Sequence, residues 1–276
     1  MLLATVLALS AAVLHASWNY AVKQSTDRRL SLWGLFFIAG LLSAIALGLW
    51  VLIDGMPNIA WRWVVLSGVI HVPYVLSLSR AYDRGDFSMA YPIARGGGAL
   101  LAAFGGVVVL RDNLSALSMI GIVIVVAGLL VLAYAGSRPT LIAALTVAAT
   151  IGAYTLVDAH GARLSDALPY SLALTTIQAM ITSTWISLTR RSEMISTLRS
   201  NWKILTAGAI ASTVAYSMVL IAVQYAPVGY VAALRESSVV LAAFAGWRLL
   251  NEGDHRRRIA SAVIVLTGLV LLVSGG

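Results

Sequence analysis

The sequence predicts an all-α membrane protein of ten transmembrane helices arranged as two inverted five-helix repeats. Three observations predict it. Of the 276 residues 60% are hydrophobic and only 11% charged, with a mean hydropathy of +0.89, whereas a soluble domain carries about a quarter charged residues. Apolar runs able to cross a bilayer, roughly 20 residues each, recur ten times along the chain. The chain also resembles itself at a constant offset of 140 residues.

The ten runs fall at about 2–22, 31–53, 63–80, 88–110, 115–135, 139–158, 167–189, 203–225, 228–250 and 258–275, divided by clusters of charge, Pro and Gly. The first is read as a retained helix: its basic residues Lys23, Arg28 and Arg29 follow it, whereas a secretory signal places them in front. Between the seventh and eighth runs the polar stretch Arg190 to Asn201 is expected to form a loop.

At the 140-residue offset, 95–106 (RGGGALLAAFGG) lies over 235–246 (RESSVVLAAFAG), matching the arginines, the phenylalanines and the final glycines. Without a gap, Leu110-Arg111-Asp112 then lies over Leu250-Asn251-Glu252, and Gly128 over Gly268. The two units are residues 1–136 and 137–276. Five spans per unit is an odd number, so the second unit enters the membrane from the opposite side.

Basic residues give an independent view of topology, because they concentrate in cytoplasmic loops. Odd-numbered loops hold Lys23, Arg28, Arg29, Arg80, Arg84, Arg138, Arg190, Arg191, Arg199, Lys203, Arg248 and Arg256 to Arg258, which is 14 of the 19 Lys and Arg residues. Even-numbered loops hold Arg62, Arg111 and Arg163, and the other two, Arg95 and Arg235, lie inside spans. The net charge of +8 is thus expected to mark the cytoplasmic side of an inner (plasma) membrane, with both termini outside. Arg256 to Arg258 are read as a topology signal facing anionic lipid, and nucleic acid is not an expected partner.

Several stretches carry a resemblance: His15-Ala-Ser-Trp-Asn19, Ala81-Tyr-Asp-Arg-Gly-Asp-Phe-Ser88, Tyr91-Pro-Ile-Ala-Arg-Gly96 and Tyr154-Thr-Leu-Val-Asp158. With the duplicated five-span unit, they make the chain resemble the drug/metabolite transporter superfamily, specifically its EamA-type branch. The resemblance covers nearly the whole chain. It implies a secondary transporter, often an exporter of amino acids or other small metabolites, with a cavity between the halves. Two departures stand out. Relatives are expected to have cytoplasmic termini, against the charge count here, and the first-helix glutamate with which the small multidrug branch binds cations is missing from this first helix.

Charged groups inside a span cost several kcal/mol and face a protein interior or a watery cavity. Arg95 and Arg235 each lie about seven residues inside their spans, roughly 10 Å below opposite interfaces. Two readings stand for them: an anion clamp, since a guanidinium pairs with a carboxylate or phosphate through two parallel hydrogen bonds, or braces that snorkel or bond a helix end, Pro92 freeing a carbonyl for Arg95. Glu236 is either a fixed partner of an arginine or a proton-coupling site. His15 and Asn19 stand one turn apart, with Trp18 alongside, and His15 is a second candidate for moving a proton. Tyr74, Tyr91, Tyr154 and Ser238 complete the candidate substrate-binding set, and His71, Tyr216 and Gln224 are further candidates for the lining. Asp158, near its span's end, is expected to pair with a helix-end residue such as Arg163.

No HExxH helix, GxSxG elbow or Walker-type loop occurs. Gly96 to Gly98 lie inside a span and read as helix packing or interruption. Cysteine is absent and the four histidines are dispersed, so no catalytic residue, metal or cofactor is expected. The expected function is alternating-access export of a small zwitterionic or anionic metabolite coupled to protons. The alternatives are a flippase for a lipid-linked substrate and a membrane enzyme or assembly subunit. The expected partners are the small-molecule substrate and the lipid bilayer; one copy suffices, and a dimer is compatible with the same reading.

Overall fold

A computed structural model describes residues 2–84, 87–112, 115–133, 138–238 and 255–275. The described residues form α1 (Leu2–Gln24), α2 (Arg28–Asp54), α3 (Trp61–Arg84), α4 (Phe87–Leu110), α5 (Ala116–Ala133), α6 (Arg138–Arg163), α7 (Ala167–Tyr225), α8 (Val228–Arg235) and α9 (His255–Ser274). Six of these helices are long and apolar enough to cross a membrane. The molecule is therefore an all-α, multi-spanning membrane protein. The first six expected spans coincide closely with α1–α6, although α6 continues to Arg163. Of the ninth, 228–250, only the first part is described; Arg248 and the matched residues Phe244, Gly246 and Leu250 to Glu252 lie outside the described residues.

One boundary is corrected. The stretch expected as a loop is helical: α7 runs 59 residues, interrupted only at Arg190 (φ −145°, ψ 36°). Its polar residues satisfy the helix rather than breaking it, with Thr197 Oγ1 donating to the Glu193 carbonyl at 2.8 Å and Ser200 Oγ to that of Ser196 at 2.9 Å. Arg190 is pinned by Asp27 Oδ2 at 2.5 Å and by Glu193, and it holds the Glu193 carboxyl below the usual carboxylate range. The arm 191–225 is about 50 Å long at 1.5 Å per residue, more than the roughly 30 Å hydrocarbon core. Its polar first turns therefore project beyond the core.

Local signals set the other ends. Asp27 caps α2 by accepting from Leu30 N at 2.9 Å, and Gly55 closes it at φ 85°, a left-handed conformation that favours glycine. Packing then relies on small residues. A Cβ on Gly98 would lie 2.5 Å from Ile151 and one on Gly97 3.0 Å from Ala148, so these glycines serve the close approach of α4 to α6. At α5 and α9, a Cβ on Gly128 would meet Val265 at 2.8 Å, and one on Gly268 would meet Val125 N at 2.7 Å. Outward, α2 exposes Leu41, Ile45, Leu49 and Leu52 along one face, a stripe for lipid.

The broadest helix pairs are α2 with α7, α4 with α6, α5 with α9, α1 with α7 and α3 with α6. Each joins residues before 134 to residues after 137. Loops meet by parity. At one end Asp27 pairs with Arg190, and Arg28 with Asp83 at 2.7 Å. At the other, Asn58 N donates to Asp166 Oδ2 at 2.9 Å, and Arg163 pairs with Asp112 at 3.1 Å.

Candidate functional site

The site begins where a helix stops. α8 ends at Arg235, and the Glu236 and Ser237 N–H groups turn back to carbonyls three and four residues earlier, Glu236 N lying 3.0 Å from Ala233 O and Ser237 N 3.1 Å from Leu234 O. This tightened turn places the Glu236 carboxylate in the interior at 0% exposure. Arg95 reaches it from α4, Nη2 lying 2.9 Å from Oε1, and Arg235 Nε lies 3.8 Å from the same oxygen. The two matched arginines thus converge on one carboxylate. Arg95 takes Glu236 as its partner.

Within this group, among the described residues, two buried cations face one buried anion. Among the described residues Arg95 Nε, Arg235 Nε and Glu236 Oε2 have no hydrogen-bond partner. Beside them Tyr91 donates to Ser238 Oγ at 3.1 Å, tying α4 to the turn after α8. The charge of both arginines reaches His15, Tyr74 and Tyr154, which line a central chamber.

That chamber is lined by His15, Trp18, Phe36, His71, Tyr74, Tyr154, Thr175, Gln178, Ser212, Thr213 and Tyr216, and its volume is about 30 Å³. His71 stacks on Tyr154 with ring centroids 4.4 Å apart. His15 Nδ1 is 3.0 Å from the Ala11 carbonyl, an intrahelical contact that fixes the ring. A larger cavity of about 590 Å³ lies at the end where α1 turns into α2, lined among others by Gln24, Ser31, Leu35, Ser196, Ser200 and Asn201. Its Leu35 packs on Gly208 beside Trp18, so the two spaces adjoin.

Of the residues singled out from sequence, His15, Trp18, Tyr74, Tyr154, His71 and Tyr216 line the chamber. Arg95, Arg235, Glu236, Tyr91 and Ser238 form the adjoining charged group. Asn19 does neither: it donates to the His15 carbonyl at 2.7 Å and accepts from Tyr82 at 2.6 Å, bracing α1 against α3. Gln224 donates to the Ala162 and Ser165 carbonyls and serves a helix end. The expected Asp158–Arg163 pair does not form, because five residues along a helix turn a side chain about 140° away. Arg163 pairs with Asp112 instead, and Asp158 accepts from Tyr216 and, at 3.4 Å, from Tyr170. Sequence reasoning missed Thr175, Gln178, Ser212 and Thr213, of which the amide Gln178 in an apolar run was the available signal. Among the described residues no group of His, Cys, Asp or Glu is placed to hold a metal ion.

A family model described as the EamA-like transporter family matches residues 2–134 and again 138–274. One solved crystal structure of a protein superposes with a TM-score of 0.74 and 17% identity over 98% of this chain and 97% of that one, a likeness of fold. A search of curated protein sequences finds no match.

Proposed function

This chain belongs to the EamA-like transporter family, and from that premise we propose that it exports a small zwitterionic or anionic metabolite, such as an amino acid, by alternating access coupled to protons. The convergence of two buried arginines on one carboxylate carries the reading. An excess positive charge beside the chamber suits a carboxylate, which a guanidinium binds in register. The aromatic rings and the Thr175, Gln178 and Ser212 side chains suit the rest of a small polar molecule. The chamber's roughly one-water volume must widen to admit it, which fits a protein that alternates between open and closed arrangements.

We read the molecule as ten spans in two inverted repeats, residues 1–136 and 137–276. The two separate matches to the family model support this. So do paired contacts at the 140-residue offset: Gly128 against Val265 and Gly268 against Val125. The end rich in Lys and Arg is read as cytoplasmic, so the larger cavity opens inward. An apolar groove between α2 and α7, lined by Phe37, Leu41 and Met180 among others, shares no lining residue with the chamber, which weighs against a lipid-linked substrate.

Purified protein is screened by thermal shift against amino acids, organic acids and phosphonates, since a ligand of the folded state raises its melting temperature. Hits are then followed as flux in proteoliposomes. Binding of a carboxylate, with Arg235→Ala losing at least tenfold in flux, is the expected outcome. Full flux of every anionic substrate through Arg235→Ala would remove the clamp.

A further inference from the structure

Asp158 is fully buried in α6, and among the described residues no cation is bonded to it. Hydroxyls hold it instead. Tyr216 donates to Oδ2 and Tyr170 to Oδ1 at 3.4 Å, and the Ser67 hydroxyl of α3 lies near it. Ser67 Oγ is itself 3.3 Å from His71 Nδ1, so polar groups of α3 and of both arms of α7 surround the carboxylate. The titratable and charged groups facing Asp158 are His71 from α3, Tyr170 and Tyr216 from α7, Tyr154 on its own helix, and Arg235 from α8, whose charge acts without contact. Glu236 has the opposite setting, held against two guanidinium groups.

A carboxylate buried in a span, bonded by hydroxyls and by no described cation, has partners that can serve it both as a carboxylate and as a carboxylic acid, since a hydroxyl donates as well as accepts. Tyr216 belongs both to this group and to the chamber wall. We propose that Asp158 is the proton-binding site of this transporter and that Tyr216 reports its state to the central chamber. The inference rests on the proposed proton-coupled transport and moves the coupling site from Glu236 and His15 to Asp158.

With Asp158 ionised, the Tyr216 O–H points at the carboxylate and its oxygen lone pairs are left for a donor in the chamber, such as a substrate ammonium. When a proton from water binds Asp158 Oδ2, the new O–H donates to the Tyr216 oxygen, and the Tyr216 hydrogen turns toward the chamber. Only O–H bonds are made and broken. Proton and ammonium group thereby compete for one phenol oxygen, the condition for exchanging one against the other, while the substrate carboxylate stays with the arginines.

Infrared difference spectra of the full chain in lipid, titrated over roughly pH 5–9, test the site without any substrate. A protonated-carboxyl C=O band should appear in the wild type, disappear in Asp158→Asn, and move to higher frequency in Tyr216→Phe, where its hydrogen-bond partner is lost. Absence of the band from the wild type, or its persistence in Asp158→Asn, overturns the proposal; should Asp158→Asn not fold, an unmoved band in Tyr216→Phe does so. In proteoliposomes loaded with the amino acid that gives the largest thermal shift, Asp158→Asn should keep counterflow exchange and lose acceleration by a pH gradient. Acceleration retained in Asp158→Asn also overturns it. A wild type that moves no such solute defeats the transport reading, and the infrared result still judges Asp158.

Discussion

Glu236 neutralises only one of two guanidinium groups, at 0% exposure. Removing one partner of a buried charge group leaves the others uncompensated, at a cost of about 3–5 kcal/mol. Glu236→Gln, nearly isosteric, should therefore lower thermal stability sharply in detergent; a melting temperature equal to the wild type would show that the two arginines are already compensated. Much of this group is legible one residue at a time, since charge inside an apolar run marks Arg95, Arg235 and Glu236. Their partnership is not, because spacing along the chain does not say which helices meet. Asp158 shows the limit more plainly. Nearness in sequence suggests Arg163, whereas helical phase and tertiary packing give it Tyr216 and Tyr170.

At the scale of elements, Asp112 is the hinge of the even-loop end. It follows Arg111, whose φ of 58° is the one positive value among described non-glycine residues. Its Oδ2 accepts from Val228 N at 3.1 Å, and its Oδ1 receives Arg163 at 3.1 Å. α8 begins at Pro227 with no side-chain cap of its own, so a residue 116 positions away supplies it. Asp112→Ala should cost about 0.5–2 kcal/mol, the range for losing an N-cap, as read by thermal unfolding; an effect under a few tenths would mean that α8 needs no outside cap. Helix positions follow closely from apolar run length. The continuity of α7 through 191–201 does not, because polarity there looks like a loop, while serine and threonine bonds to preceding-turn carbonyls keep it helical.

For the whole molecule, the distribution of Lys and Arg is the basis of the proposed orientation and the structure gives the pairing of ends. Asp27 with Arg190 and Asn58 with Asp166 each join loops of one parity, as alternate crossing requires. A periplasm-active reporter fused to Gly276 should be active and a cytoplasmic one silent; the reverse would overturn the assignment of both termini to the outside. The broadest helix pairs all run between the first half and the second, and helices adjacent in sequence share much less surface.

On the proposed two-unit reading, that distribution of contact makes the chain, in physical terms, a heterodimer whose subunits are tied by a tether. Each half alone would leave apolar and charged surface without its counterpart: Arg95 belongs to one half and Glu236 to the other. On that reading, covalent linkage raises the effective concentration of one half around the other. The chain cut at that tether therefore retains in its two fragments the complementary surfaces needed to find each other in the bilayer.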